Sequence, residues 1–242
     1  MPPTFNTTAV VTGAGSGIGA ATARRLAAEG TRVLLVDINE EGGKAVAQEI
    51  GGTFIAASVA DNDTWPRIIE AADGIIELAH LNAGVVTSHL GYSIEEVTPD
   101  LYRRLMTTNI DGVVFGIQAL VPGMADKGRG AIVVTSSLAG LVPFADDPLY
   151  SATKHALIGL VRSLAPQLAA KGITIHAICP GSTDTGLVDF LGNRAQASRL
   201  HLMDPAEVAD AVLACLLGTE TGKAYTVLGG RGHQEHEFLG LS

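Results

Sequence analysis

The stretch "TAVVTGAGSGIGAATARRLAAEG", residues 8–30, decides the fold. A short β-branched apolar run enters a glycine-rich turn, and the turn leads directly into an amphipathic pattern rich in alanine and leucine. Strand, tight turn and helix in that order are the opening of a βαβ unit. Gly13, Gly17 and Gly19 allow the backbone to turn sharply and a diphosphate to approach closely, and the helix that follows offers unpaired N–H groups and the positive end of its dipole. A second run, "RVLLVD", ends in Asp37, 18 residues after Gly19. There a carboxylate can accept hydrogen bonds from the two ribose hydroxyls of an adenosine. Its charge would repel a 2′-phosphate, no Arg or Lys follows in "DINEE", and Ser16 rather than a basic residue precedes Gly17. The reading is a dinucleotide site that takes NAD rather than NADP.

Outward from this stretch, apolar runs and helical patterns keep alternating. The runs are 8–12, 32–37, 53–58, 75–81, 131–136, 173–179 and 223–228, and the helical patterns lie near 18–29, 40–50, 62–72, 99–125, 150–171 and 205–217. "DPAEVADAV" is the clearest helix start, with Asp204 as N-cap, Pro205 at the first position and Glu207 at the third. No linker or repeat breaks the alternation. The expectation is an α/β chain forming one domain over 1–242, a Rossmann-type doubly wound parallel sheet of seven strands with helices on both faces. Ligands in such a sheet bind beyond the carboxyl ends of the strands.

Composition narrows the partners. Of 242 residues, 47% are hydrophobic and 17% charged, which excludes a disordered chain. The formal charge of −9 has no basic stripe to set against phosphates, so nucleic acid is not expected as a partner. Cys179 and Cys215 stand far apart without companion ligands and read as reduced core residues, with no metal site. No run approaches the roughly 20 apolar residues that span a bilayer, and no charged leader precedes an apolar segment, so the expected location is cytoplasmic, away from membranes. The "NTT" and "NDT" matches to a glycosylation acceptor at Asn6 and Asn62 are then chance.

A second stretch raises a chemical question. "YSATK", residues 150–154, puts a phenol and an ammonium one helical turn apart on one face of an otherwise small, apolar segment. A tyrosine with its ordinary pKa of about 10 is phenolate about one time in a thousand at pH 7, a handicap of about 4 kcal/mol for a base. A lysine on the same face favours the phenolate.

The glycine spacing Gly-x-x-x-Gly-x-Gly, "NAG" at 82–84, Asn109, "SS" at 136–137, "YSATK" and "PG" at 180–181 together resemble the short-chain dehydrogenase/reductase family, over nearly the whole chain. That resemblance implies a catalytic set of Asn109, Ser137, Tyr150 and Lys154, with Ser137 chosen over Ser136 because it lies 13 residues before the tyrosine. It also implies cofactor contacts from Thr12, Gly13, Ser16, Gly17, Ile18 and Gly19, from Asp37 and Ile38, and from Ser58 and Val59. Further contacts would come from Asn82, Ala83 and Gly84, from Tyr150 and Lys154, and from Pro180, Gly181, Thr183 and Thr185. The implied activity is hydride transfer between NAD and a secondary alcohol or ketone, with Tyr150 as general acid and base. A reductase of a C=O, C=C or C=N bond and a nucleotide-binding protein without catalysis are the alternatives.

The segment from "TSSLAG" to "HAICPG" is especially similar to 15-hydroxyprostaglandin dehydrogenases, and this similarity implies a hydrophobic alcohol. Leu138, Val142, Phe144, Leu187, Val188, Phe190 and Leu191 fall in segments that line the family's substrate cleft, and 183–203 reads as a lid. Asp147, where the prostaglandin enzymes carry glutamine, either contacts substrate or is an exposed loop residue. Ser58 stands where an aspartate usually touches adenine, and Leu81 replaces the first asparagine of "NNAG". His80 reads as a hydrogen-bonded core residue. Pro166 is expected to kink the long helix that in the family forms half of a dimer interface, so a homodimer or homotetramer is implied.

Overall fold

The computed structural model describes residues 6–61, 63–87, 90–185 and 202–238. The strands are β1 (Thr8–Thr12), β2 (Arg32–Asp37), β3 (Thr53–Ala56), β4 (Leu78–Leu81), β5 (Gly130–Thr135), β6 (Ile173–Pro180), β7 (Ala224–Val227) and β8 (His233–Glu235). The helices are α1 (Gly17–Ala28), α2 (Glu40–Ile50), α3 (Thr64–Ala71), α4 (Pro99–Met106), α5 (Gly112–Lys127), α6 (Pro148–Ala169) and α7 (Pro205–Leu217). One sheet runs in the order β3-β2-β1-β4-β5-β6-β7-β8.

The first seven strands are parallel, and the pattern of their side chains explains why. Every residue of β1, β4 and β5 is buried, as a strand covered by helices on both faces requires. Alternate residues go to opposite sides. Val10, Leu34, Val36, Ile132 and Val134 pack with α3, α5 and α6, whereas Ala9, Val11, Val33, Leu35 and Val133 pack with α1, α2 and α7. The expected architecture is therefore present, with one correction: the sheet has eight strands, not seven. β8 runs antiparallel to β7, with Val227 opposite His233 and Tyr225 opposite Glu235. Its three residues are polar and exposed, so no apolar period marks them.

Two other expectations change. The run at 75–81 becomes a strand only from Leu78; Glu77, just before it, forms a two-pronged ion pair with Arg129 across the amino ends of β4 and β5. α6 continues through Pro166 to Ala169, so the proline does not end the helix; it removes only the one N–H that would meet the Arg162 carbonyl. Among the described residues no helix is long and apolar enough to cross a membrane.

The chain winds outward from β1 to β3, then returns to place β4 on the other side of β1. Loops that leave β1 and β4 therefore part at their carboxyl ends, and a crevice opens between them.

Candidate active site

The crevice is a cavity of about 390 Å³ at the carboxyl ends of the strands. At one end the β1–α1 turn forms its floor. Gly17 has φ +50 and a Cβ there would lie 2.8 Å from the Thr185 side chain, while a Cβ on Gly19 would run into the Gly13 carbonyl. Both glycines are thus required by the shape of the turn. Asp37 fixes it from the side: one carboxylate oxygen accepts the Gly15 N–H at 2.8 Å and the other the Asn39 N–H at 2.8 Å. Each oxygen keeps capacity for a further donor. Ile38, beside it, is 74% exposed and offers an apolar shelf.

Thr12 and Asn82 lock this turn to β4. The Thr12 hydroxyl accepts the N–H groups of Asn82 and Ala83 at 2.9 and 3.1 Å, and the Asn82 amide donates to the carbonyls of Thr12 and Gly13 at 3.1 and 3.4 Å. The Asn82 carbonyl in turn accepts the Thr135 hydroxyl at 3.0 Å, whose oxygen meets His80 Nε2 at 2.8 Å. His80 is indeed a hydrogen-bonded core residue; burial pushes its pKa down to about 3.

The other end of the cavity is built by β5 and α6. The Ser136 hydroxyl donates to the Lys154 carbonyl at 2.9 Å, and glycine at 140 lets the turn after β5 come close to α6. Ser137 caps that turn and its side chain reaches the Tyr150 hydroxyl. The Lys154 ammonium, buried, donates to the Thr135 carbonyl at 2.8 Å and stands 5.5 Å from the centre of the Tyr150 ring. Burial pushes the Tyr150 pKa up to about 12 against the Ser137 bond, with the charge of Asp147 adding to the rise, and burial lowers that of Lys154 to about 8.

Asn109 lies behind the wall, fully buried in a π-helical turn (Thr107–Asp111) between α4 and α5. Its side chain grips Val85 by both backbone groups, at 2.8 and 2.9 Å, and donates to the Thr153 hydroxyl at 3.0 Å. Such turns displace a helix from its regular ladder, often at functional sites.

Of the expected cofactor contacts, Gly13, Ser16, Gly17, Ile18, Asp37, Ile38, Ser58, Val59 and Asn82 to Gly84 line the cavity, as do Tyr150, Lys154, Pro180, Gly181, Thr183 and Thr185. Thr12 and Gly19 stand behind it and shape the turn. Ser137 lines it; Leu138 borders it through Gly181, and partly buried Phe144 is not on its wall. Leu187, Val188, Phe190, Leu191 and most of the expected lid lie outside the described residues. Asp147 is neither exposed nor on the cavity wall: it is fully buried, because its carboxylate caps α6 and takes donors from the loop after β4. Val36, Ala57, Val85, Thr108, Thr135, Ser136 and Ser182 complete the lining and were not among the residues expected there. Each lies within two residues of one that was expected, and that proximity is the signal they carry.

Residues 7–196 match the family model described as short chain dehydrogenase. The chain is 37% identical over 240 residues to the cyclohexanol dehydrogenase of Acinetobacter sp. (strain SE19), covering 93% of this chain and 94% of that one. It is 33% identical over 211 residues to the 3-alpha-(or 20-beta)-hydroxysteroid dehydrogenase of Mycobacterium tuberculosis (strain ATCC 25618 / H37Rv), covering 85% and 80%. The crystal structure of 3-ketoacyl-(acyl-carrier-protein) reductase from Brucella melitensis complexed with NADH superposes with a TM-score of 0.86 at 28% identity, covering 93% of this chain and 98% of that one. A glycine turn closed by Asp37, a serine, tyrosine and lysine on the facing wall, and these matches along nearly the whole length lead to one conclusion: the chain belongs to the short-chain dehydrogenase family.

Proposed function

We propose that the chain is an NAD-dependent dehydrogenase that moves a hydride between the cofactor and a hydrophobic secondary alcohol or ketone, the whole chain acting as one dinucleotide-binding and catalytic unit. The observation that carries this reading is the placing of Ser137, Tyr150 and Lys154 on the wall of the cavity whose far end is the glycine turn and Asp37. The residues fit NAD. The turn has no room for a Cβ at Gly17 or Gly19, Asp37 has acceptor capacity left for ribose hydroxyls, and Ile38 can cover an adenine face. Lys154 is the sole Lys or Arg among the described lining residues and is buried at the opposite end, so a 2′-phosphate would meet Asp37 with no described cation beside it.

When bound, the cofactor supplies the hydride acceptor at its nicotinamide. Ser137 donates a hydrogen bond to the substrate oxygen, and Tyr150 takes the proton from that oxygen as the carbon loses hydride. Lys154 holds its ammonium beside the phenol and favours the phenolate. In the free site burial raises the Tyr150 pKa although Lys154 is already beside it, so the positive charge that arrives with the cofactor would have to bring the phenol into working range. Asn109 fixes Val85 and Thr153 around these groups.

Cyclic and lipid-like secondary alcohols are the favoured substrates. Apolar Leu138 beside Gly181 supports this, as do the apolar Leu187 and Phe190 of the sequence, the dehydrogenase relatives and the resemblance to 15-hydroxyprostaglandin dehydrogenases. A homodimer or homotetramer in the cytoplasm is part of the same proposal, in keeping with the free, buried Cys179 and Cys215. Tyr150→Phe tests the assignment: it should bind NAD as the wild type does and lose turnover by about a hundredfold to ten-thousandfold. Turnover near that of the wild type would overturn it.

A further inference from the structure

Asp147 has no solvent exposure and stands three residues before Tyr150. Its Oδ2 accepts the backbone N–H and the hydroxyl of Thr87, at 3.0 and 2.7 Å. Its Oδ1 accepts the Tyr92 hydroxyl at 3.1 Å and the Tyr150 N–H at 3.0 Å. The Tyr92 oxygen also accepts the Leu149 N–H at 3.1 Å while its proton goes to the carboxylate. Four donors converging on two oxygens call for an ionised carboxylate; an amide or a protonated acid would set donor against donor.

A helix start needs only one such acceptor, and serine or asparagine would serve α6 alone. The additional donors come from the segment that follows β4. That segment begins at Gly84 and Val85 on the cavity wall, is gripped at Val85 by Asn109, and is bonded to Asp146 through the Gly91 N–H at 2.8 Å. The carboxylate therefore ties the loop wall of the cavity to the turn of α6 that carries Tyr150.

Resting on the reading of Tyr150 as the base, we propose that Asp147 is a positioning residue: it clamps the loop after β4 to the catalytic turn and, as a buried negative charge three residues before the phenol, sets the pH range over which Tyr150 works. The groups that face Tyr150 are Lys154 on its own helix, Ser137 from the turn after β5, Cys179 from β6, and Asp147. Lys154 and the Ser137 bond favour the phenolate. Asp147 opposes it, as burial does.

The test compares the wild type with Asp147→Asn and Asp147→Ser, both good helix caps without charge, and with Tyr92→Phe, which keeps the charge and removes one donor. Phenolate formation is titrated by ultraviolet difference absorbance with NAD bound, and Tyr150 is isolated by subtracting the same chain carrying Tyr150→Phe. The Tyr150 midpoint should fall by on the order of one pH unit in both uncharged variants, and should hold or rise in Tyr92→Phe. An unchanged midpoint in a folded uncharged variant overturns the proposal, and so does a fall in Tyr92→Phe, which stays informative if the uncharged chains do not fold. The titration needs no turnover. A wild type that oxidises no alcohol would thus refute the reading of the site, while the titration judges Asp147 separately.

Discussion

In the proposed mechanism Tyr150 works only where its neighbours make it ionise, and each residue of the site depends on its neighbours in the same way. Asp37 spends one lone pair of each oxygen on the Gly15 and Asn39 N–H groups, so it shapes the turn before it meets a ligand. Asp37→Ala should therefore weaken NAD binding about tenfold to a hundredfold, the scale of lost charged hydrogen bonds, while leaving kcat nearly unchanged; equilibrium titration with NAD and steady-state rates check the split. An affinity equal to that of the wild type would remove Asp37 from the site. Residues whose place on the cavity follows from local spacing were legible in the sequence: Gly13 and Gly17 at the turn into α1, Asp37, and Tyr150 with Lys154 one turn later. Asp147 was not. One letter in "FADDPLY" reads equally as loop, pocket or cap, and the partners that decide, Thr87 and Tyr92, lie 60 and 55 residues upstream.

At the scale of elements, strands buried on both faces announced themselves as β-branched runs, and β1, β2 and α2 fall where the sequence puts them. β8 did not, because an edge strand made of His233, Gln234 and Glu235 owes its form to β7 and carries no apolar period. The π turn around Asn109 was hidden too, since it shares the helical pattern of its neighbours. β4 carries an unusual passenger in His80. Thr135 gives its proton to Asn82, so Nε2 is the donor, and Nδ1 is buried without a partner among the described residues. The pKa of about 3 in the folded chain lies below the ordinary 6.5. Folding is therefore unaffected by this group above about pH 6.5 and is increasingly opposed as pH falls toward 3, because only the unfolded chain takes the proton. Denaturant unfolding at pH 7 and pH 5 should show the wild type losing about 2 kcal/mol more than His80→Leu over that interval. Equal losses would mean that His80 titrates in the folded chain.

At the scale of the molecule, the winding of the chain outward from β1 and back to β4 creates the crevice, and everything else supplies its walls. The glycine turn and Asp37 line one end of a cavity of about 390 Å³, the end proposed for the dinucleotide, and the β5 turn and α6 line the other, the end proposed for the reaction. Fold and both ends were legible in the sequence because each depends on local chemistry repeated along the strands. The approach of the segment after β4 was less so, since it depends on distant partners such as Asp147. The most direct test of the whole account is NADH formation, followed by absorbance, with the intact chain, NAD and cyclohexanol alongside a panel of hydrophobic secondary alcohols. The account predicts NADH with at least one of them, at a rate that rises with pH as Tyr150 ionises, and far less turnover with NADP. A chain that binds NAD yet forms no NADH with any alcohol, and consumes none with the matching ketones, would contradict it.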